Sequence, residues 1–223
     1  MKRSALSLIL TVAMAACATE SYKALEPPKP TVAGTVYSGP RSTLAVGKFD
    51  NRSSYMRGLF SDGVDRLGGQ AKTILIGHLQ ETARFVVVDR DNLDEIAREA
   101  KLKGEAQVVK GADFVITGDV VEFGRKEVGD RQLFGILGSG KQQVAYSKVT
   151  VNVVDVRTSE VVHSVQGAGE YVLSNREVLG FGGAAGYDST LNGKVLDLAV
   201  REAINRLVES LEQGKWKPVR DAK

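Results

Sequence analysis

Hydrophobic residues alternate with polar ones over residues 43–49, and this period of two predicts a first β-strand with one buried face. Over residues 64–82 the hydrophobic positions recur every three or four residues, which predicts a long helix. Residues 85–89 are almost entirely apolar and predict a second strand. Asp91 then stands at the expected N-cap of a short helix. That helix carries its hydrophobic residues on one face, namely Leu93, Ile96, Ala97 and Ala100.

The second half of the chain predicts three more strands and one helix. Residues 112–121, 144–156 and 161–165 are the strands, and the turn-forming residues 157–160 join the last two into a hairpin. From Gly193 the hydrophobic residues recur at helical spacing until Gly214, which we expect to end the helix. The predicted fold class is α+β, a mixed β-sheet covered by helices.

Two stretches interrupt this pattern, residues 122–143 and residues 173–192. The first is polar and charged between two strong strands, and the second is rich in glycine. Loops longer than about 12 to 15 residues are uncommon in compact domains and usually have a function or are disordered. We therefore expect the function of the protein to depend on these two excursions.

The first 17 residues have the order of a secretory signal. A basic pair, Lys2-Arg3, precedes an apolar run that is too short for a membrane-spanning helix, and small residues follow. Residues 14–17, Met-Ala-Ala-Cys, resemble a bacterial lipobox. This resemblance implies removal of residues 1–16 and lipidation of Cys17. Because Ala18 rather than Asp follows, it also implies a lipid-anchored, periplasm-facing protein of the outer membrane.

Behind the signal we expect one folded periplasmic domain. Residues 17–41 contain four prolines and are predicted to form an extended tether. We expect residues 42–215 to form the domain and residues 216–223 to form a C-terminal tail. Cys17 is the sole cysteine, so no disulfide can form within the chain. Apart from the covalent lipid, no cofactor is expected.

Charge and motifs argue against several functions. Without Lys2 and Arg3 the chain has 28 basic and 27 acidic residues, a balance that gives no support for nucleic-acid binding.

Residues 135–141 fit part of a phosphate-binding loop, but Gln142 replaces the magnesium-binding Ser or Thr and a strand follows, so a hairpin tip is predicted. His78 and His163 have no second ligand at metal spacing and are predicted to be structural. No Ser-His-Asp or Cys-His arrangement is present, which predicts a protein that is not an enzyme.

Two long segments carry a family resemblance. Residues 112–122 and 149–165 resemble the central block of the CsgG/HfaB type of lipoproteins, whose best-known member is the outer-membrane secretion channel for curli amyloid subunits. The resemblance implies that both excursions are transmembrane β-hairpins and that a homo-oligomeric ring closes them into one barrel. It also implies passage of a secreted unfolded protein and possible periplasmic accessory proteins. The two excursions are long enough to form transmembrane hairpins, although neither face of residues 126–137 is cleanly apolar.

The same resemblance implies a channel constriction after the first strand. Tyr55 and Phe60 fall at the family's two aromatic positions, and Leu59 takes the place of an asparagine. Aromatic rings around a pore could contact an unfolded chain without sequence preference. The alternative is that Tyr55 and Phe60 cap the core beside the long helix. Two functions follow: a curli-type channel subunit, or a non-channel lipoprotein of the same fold that binds a cell-envelope partner, for example a regulator of cell-wall synthesis.

Overall fold

The computed structural model describes residues 26–55, 64–131, 139–177 and 191–217. Within these ranges lie five strands and three helices, which confirm the α+β class. In chain order they are β1 (Ser42–Asn51), α1 (Arg66–Glu81), β2 (Phe85–Val88), α2 (Leu93–Lys103), β3 (Phe114–Arg131), β4 (Ser139–Asp155), β5 (Val161–Glu177) and α3 (Leu191–Glu212).

The five strands form one mixed sheet in the order β2-β1-β3-β4-β5. Strand β1 pairs in parallel with both β2 and β3, whereas β3, β4 and β5 are antiparallel neighbours. The hairpin predicted at residues 157–160 is confirmed. The Asp155 carboxylate accepts hydrogen bonds from the backbone nitrogens of Arg157 and Thr158 at 2.7 and 3.1 Å and so fixes this turn.

Helices α1 and α3 cover one face of the sheet and enclose the core. Their apolar stripes and the inward side chains of β1, β3 and β4 are fully buried, as at Leu44, Leu75, Ile116, Val149, Val151, Leu196, Ile204 and Leu207. Helix α3 ends before Gly214, which has a φ of +68° that favours glycine, as predicted. Among the described residues, no helix is long and apolar enough to cross a lipid bilayer.

The structure shows which residues cap the N-termini of helices α1 and α2, and one of them differs from the prediction. Asp65 caps α1, because its carboxylate accepts a hydrogen bond from Gly68 N at 2.8 Å. The N-cap of α2 is Asn92, so the prediction of Asp91 is wrong. Asp89 instead organises this turn, accepting hydrogen bonds from the backbone nitrogens of Asp91 and Asn92 at 2.8 and 3.2 Å.

Strands β3, β4 and β5 are longer than the apolar pattern predicted. Their pairing continues through Arg131, Ser139 and Glu177, so the described part of the first excursion is a β-hairpin and β5 runs into the second excursion. The predicted strand ends at residues 121 and 165 are therefore wrong. Backbone pairing does not require a buried face, and without one the side chains lose the alternation that identifies a strand.

Part of the predicted tether lies against the domain. Residues 30–37, here called the strap, begin with the buried Pro30. The backbone nitrogen of Thr31 donates to Asn205 Oδ1 on α3 at 2.9 Å. The Arg84 guanidinium binds Thr35 Oγ1 at 2.7 Å and lies 5.1 Å from the centre of the Tyr37 ring. Of the described tether before the strap, residues 26–29 are exposed.

Candidate functional site

The feature that distinguishes this sheet is a three-stranded ribbon, defined by residues 122–131, 139–148 and 168–177. At its base Glu122 pairs with Lys148 and Lys148 with Ala168, and at its end Arg131 pairs with Ser139 and Ser139 with Glu177. Each strand of the ribbon is about ten residues long, or roughly 34 Å at about 3.4 Å per residue. Both excursions named from the sequence contribute to it.

Both long edges of the ribbon lack a described partner strand. Strand β1 pairs with β3 only as far as Val120, so on the side of residues 122–131 away from β4 there is no described strand. On the other side β5 pairs with β4 alone among the described strands. An open edge presents a row of unpaired backbone donors and acceptors to another strand. In the described part of the chain, both edges of the ribbon are therefore open to a further strand.

Tyr55 packs where the ribbon leaves the sheet. Its ring lies 4.7 Å from the Phe123 ring, between centroids, and its hydroxyl accepts a hydrogen bond from Asn192 Nδ2 at 2.7 Å. This placement within one chain agrees with the alternative in which Tyr55 caps the core. The constriction formed by Tyr55, Leu59 and Phe60 stays a prediction, because Leu59 and Phe60 lie outside the described residues. Cys17 lies outside them as well.

Sequence reasoning missed the two partners of Tyr55. Phe123 and Asn192 sit just inside the borders assigned to the two excursions, residues 122–143 and 173–192. They join the first residues after β1 to the beginnings of the ribbon and of α3. Their position at the borders of the two excursions was the one feature of the sequence that could have indicated this contact with Tyr55.

The helix-facing side of the ribbon base is mixed, because the buried Phe123 and Ala145 lie there beside buried polar side chains. Ser147 and Gln143 are 3% and 8% exposed, on the face that is filled by valines further down β4. Arg125 Nη2 donates to Gln143 Oε1 at 3.2 Å across the β3–β4 pair. Polar groups therefore join the apolar core where the ribbon begins, in line with the mixed faces of the first excursion.

His78 is a structural residue, as predicted, and it links α1 to α3. Its ring nitrogens lie 2.9 Å from Asp197 Oδ1 and 3.1 Å from Glu81 Oε2. Burial acts to lower the pKa of His78, but the hydrogen bonds to Asp197 and Glu81, with their charges, raise it above the usual value. Among the described residues, no group of three His, Cys, Asp or Glu side chains could hold a metal ion.

Replacement of His78 by Gln is expected to destabilise the domain in a pH-dependent way. A folded-state pKa above the unfolded value of about 6.5 means that the stabilisation is complete below that pH and is lost as pH rises through the folded pKa. We expect a loss of about 1–3 kcal/mol at pH 6 and a smaller loss at pH 9. Urea unfolding of both proteins at the two pH values tests this. An equal loss at both would contradict it.

His163 is placed differently from His78. Its ring stacks on that of Trp216 at 6.1 Å between centroids, and burial, followed by the charge of Lys215, lowers its pKa. Its Nε2 is buried with no hydrogen-bond partner among the described residues. The expectation of a satisfied structural histidine therefore holds for His78 but not for this atom of His163.

The glycine motif at residues 135–141 does not lead into a helix. Ser139, Gly140 and Lys141 belong to β4, and Gln142 continues that strand. A phosphate would therefore find no helix N-terminus after the motif. Residues 132–138 lie outside the described residues.

Comparison with known proteins identifies the family. The family model for the curli production assembly/transport component CsgG matches residues 37–222. A Neisseria meningitidis serogroup B protein that is named as a lipoprotein is 60% identical over 209 residues, which cover 94% of each chain.

Two solved structures show lower similarity. The PelC dodecamer of Paraburkholderia phytofirmans is 19% identical, with 78% of this chain and 95% of that one covered and a TM-score of 0.33. Lipoprotein GNA1162 of Neisseria meningitidis is 16% identical, with 76% and 99% covered and a TM-score of 0.36. The match to residues 37–222 and the 60% identical relative show that this chain belongs to the CsgG family.

Proposed function

We propose that this chain is a subunit of a homo-oligomeric outer-membrane ring that conducts an unfolded polypeptide. The observation that carries the proposal is the ribbon, whose two edges have no partner among the described strands. In a bilayer every backbone polar group needs a partner, so a sheet can cross only when it is closed. Pairing β5, or the chain that follows it, with the ribbon part of β3 in the next subunit would join the ribbons into one barrel. Each subunit then acts by passive conduction, without catalysis.

The path of the strap supports a shared membrane for the lipid and the ribbon. Arg84 holds the strap near Glu212 at the end of α3, whereas Thr31 lies at Asn205, closer to the start of α3. From Asn205 to Asn192, which contacts Tyr55 at the ribbon base, the helix rises about 20 Å. Residues 17–30 can span about 45 Å when extended. A lipid on Cys17 can therefore reach the level at which the ribbon begins.

Lipidation of Cys17 is part of the proposal, and the name of the 60% identical relative supports it. Changing Cys17 to Ser is expected to move the protein from the membrane fraction to the soluble periplasmic fraction, because a subunit without lipid is not held beside the bilayer during assembly. Cell fractionation and mass spectrometry of the mature N-terminus measure this, with Ala18→Ser as the control that keeps the thiol. If mass spectrometry shows an unmodified Cys17 in the mature wild-type protein, the proposal of a lipid anchor is refuted.

Channel function is tested by size and conductance. The detergent-extracted wild-type protein is expected to run as a large ring and to add steps of conductance to planar bilayers. Phe60→Ala is expected to raise the step, because it removes an aromatic ring from the predicted constriction. Tyr37→Ala changes an aromatic residue on the strap and is expected to leave the step unchanged. A wild-type protein that is monomeric and adds no conductance to the bilayer would contradict the proposed channel function.

The second candidate is a non-channel lipoprotein that binds a cell-envelope partner. Two observations favour it: Tyr55 is already engaged by Phe123 and Asn192, and the ribbon base buries the polar side chains of Gln143 and Ser147. In this case the ribbon is a docking surface that adds a strand from the partner to one of its edges. A monomer without conductance that retains a partner through residues 122–177 would support this candidate.

A further inference from the structure

Trp216, the sole tryptophan of the chain, closes the core at the end of the sheet farthest from the ribbon. It follows α3 and is 5% exposed. Its ring centre lies 6.2 Å from that of Phe85 on β2, 5.8 Å from that of Phe114 on β3 and 6.1 Å from that of His163 on β5. Strands β2 and β5 are the two edge strands of the described sheet. One side chain therefore joins both edges of the sheet to its middle strand.

A turn after α3 brings Trp216 back to the sheet. Gly214 has a φ of +68°, and its backbone nitrogen and that of Lys215 donate to carbonyl oxygens in the last turn of α3 at 2.9 Å each. Residues 214–216 are here called the clasp. They hold the end of α3 to the sheet through one buried ring.

Two nitrogens in this contact are buried without a hydrogen-bond partner among the described residues, Trp216 Nε1 and His163 Nε2. A buried polar group that lacks a partner lowers the stability of the folded state. Ring packing rather than polar bonding therefore holds Trp216 against the sheet, and the clasp depends on the state of the imidazole beside it.

A proton on His163 would change this contact. In the neutral imidazole one nitrogen has no hydrogen, whereas in the protonated ring both nitrogens carry one. The buried Nε2 would then be a donor without an acceptor, in a ring whose positive charge lies near that of Lys215. A cation is attracted to the face of an indole, but burial and the charge of Lys215 lower the pKa of His163, so the docked state favours the neutral ring.

The charged groups on the surrounding elements do not compensate a charge on His163. On β4, Asp155 accepts hydrogen bonds from backbone nitrogens of the β4–β5 turn. Where the strap meets α3, Arg84 pairs with Glu212 at 3.0 Å. Lys217, after the clasp, adds a positive charge and is exposed. Among the described residues, no carboxylate raises the pKa of His163.

The strap is held at the same end of the domain as the clasp. Phe85, which stacks on Trp216, directly follows Arg84 in the chain. Arg84 binds both Thr35 of the strap and Glu212 at the end of α3, just before the clasp. A movement of the clasp would therefore displace a partner of the residue that holds the strap.

We propose that the clasp is an acid-sensitive device, in which protonation of His163 releases Trp216 from the sheet and loosens the strap. The proposal does not depend on the channel function. The stability that the clasp contributes is present above about pH 6.5 and is lost as pH falls towards the folded pKa of His163. His78 has the opposite dependence, so its contacts between α1 and α3 are strongest in acid. Acid therefore opens one end of the domain and leaves the helix pair closed.

Fluorescence of Trp216 tests the release, because no other tryptophan contributes. For the purified wild-type protein we expect the acrylamide quenching constant to rise several-fold from about pH 8 to about pH 5, and the emission maximum to move to longer wavelength. Both report contact of the indole with solvent, whereas intensity alone also responds to quenching by a protonated imidazole. Hydrogen exchange of the strap, corrected for the intrinsic effect of pH, is expected to accelerate over the same range. Far-ultraviolet circular dichroism is expected to stay unchanged.

Two variants separate His163 from the other groups that titrate. His163→Phe keeps an aromatic ring beside Trp216 but takes up no proton, and it is expected to abolish the response. His78→Gln removes the only other histidine of the chain and is expected to retain the response. His163→Asn is also neutral at every pH and gives the same comparison if His163→Phe does not fold.

The proposal is overturned if wild-type quenching is the same at both pH values, or if His163→Phe responds as strongly as the wild type. It is also overturned if the circular dichroism is lost at the pH at which Trp216 is released, because the whole domain then unfolds. Release of Trp216 without faster exchange in the strap would contradict the loosening of the strap.

Discussion

Gly167→Val is expected to cost the domain about 3 kcal/mol or more of stability, the largest effect of any single substitution considered, and to lift α3 from the sheet. Gly167 lies in β5 directly under α3. A β-carbon built on it would stand 2.0 Å from Ala199 O and 2.4 Å from Ala203 N, which are backbone atoms of α3. Side chains can rotate away from a clash, but the backbone of a helix moves only as a whole. The substitution therefore separates two layers of the core.

Glycines of α1 provide the matched control. Gly77 is exposed in mid-helix, and a β-carbon there would have no atom within 4 Å. Gly77→Ala is expected to raise stability by about 0.5–1 kcal/mol, because alanine is the better helix former. Urea unfolding gives both changes in stability from the shift of the midpoint, provided that the slope of the unfolding free energy against urea concentration is unchanged. Equal effects at the two positions would mean that α3 does not approach β5 as closely as described.

The sequence pattern predicted those elements that bury one face. Strand β1, α1 and α3 all place side chains such as Leu44, Leu75 and Leu196 in one core, and a buried face leaves a regular apolar period in the sequence. Helix α2 was predicted from the same kind of period, yet the described part of the chain leaves none of its residues fully buried. An apolar period therefore predicts the helix, but not how deeply its apolar face is buried.

The ribbon and the strap could not be found in this way. Ribbon residues such as Lys126 and Gln143 follow no apolar alternation, because their strands are held by backbone pairing beyond the core. The strap was read as a free tether from its prolines, whereas residues 30–37 are held by side chains far along the chain, chiefly Arg84 and Asn205. A local pattern contains no information about such distant partners. For the candidate site, the family resemblance predicted two hairpins, of which the described residues show the paired strands of the first, and Phe123 and Asn192 required the structure.

Arg84 is the residue that attaches the strap to the domain. It is 5% exposed, and its guanidinium donates to Thr82 O at 2.8 Å, to Thr35 Oγ1 at 2.7 Å and to Glu212 Oε1 at 3.0 Å. Thr35 and Glu212 lie far from Arg84 in the sequence, so Arg84 links the strap to the end of α3. The Glu212 side chain is 44% exposed, so solvent screens its attraction and the hydrogen bonds to uncharged groups contribute most of the stabilisation.

Arg84→Leu is expected to lower the free energy of unfolding by about 2–4 kcal/mol, since several hydrogen bonds of about 1 kcal/mol each are lost and their buried partners are left unsatisfied. Arg206→Leu is the control, because Arg206 pairs with Glu202 on the exposed side of α3 and is expected to contribute less than about 0.5 kcal/mol. Limited trypsin digestion adds a local measurement. Cleavage after Arg41 should become faster in Arg84→Leu and stay unchanged in Arg206→Leu, because only the first substitution releases the strap. If the rate of cleavage is the same in both variants, Arg84 stabilises the domain without holding the strap, and the path from Cys17 to the ribbon base is no longer fixed by it.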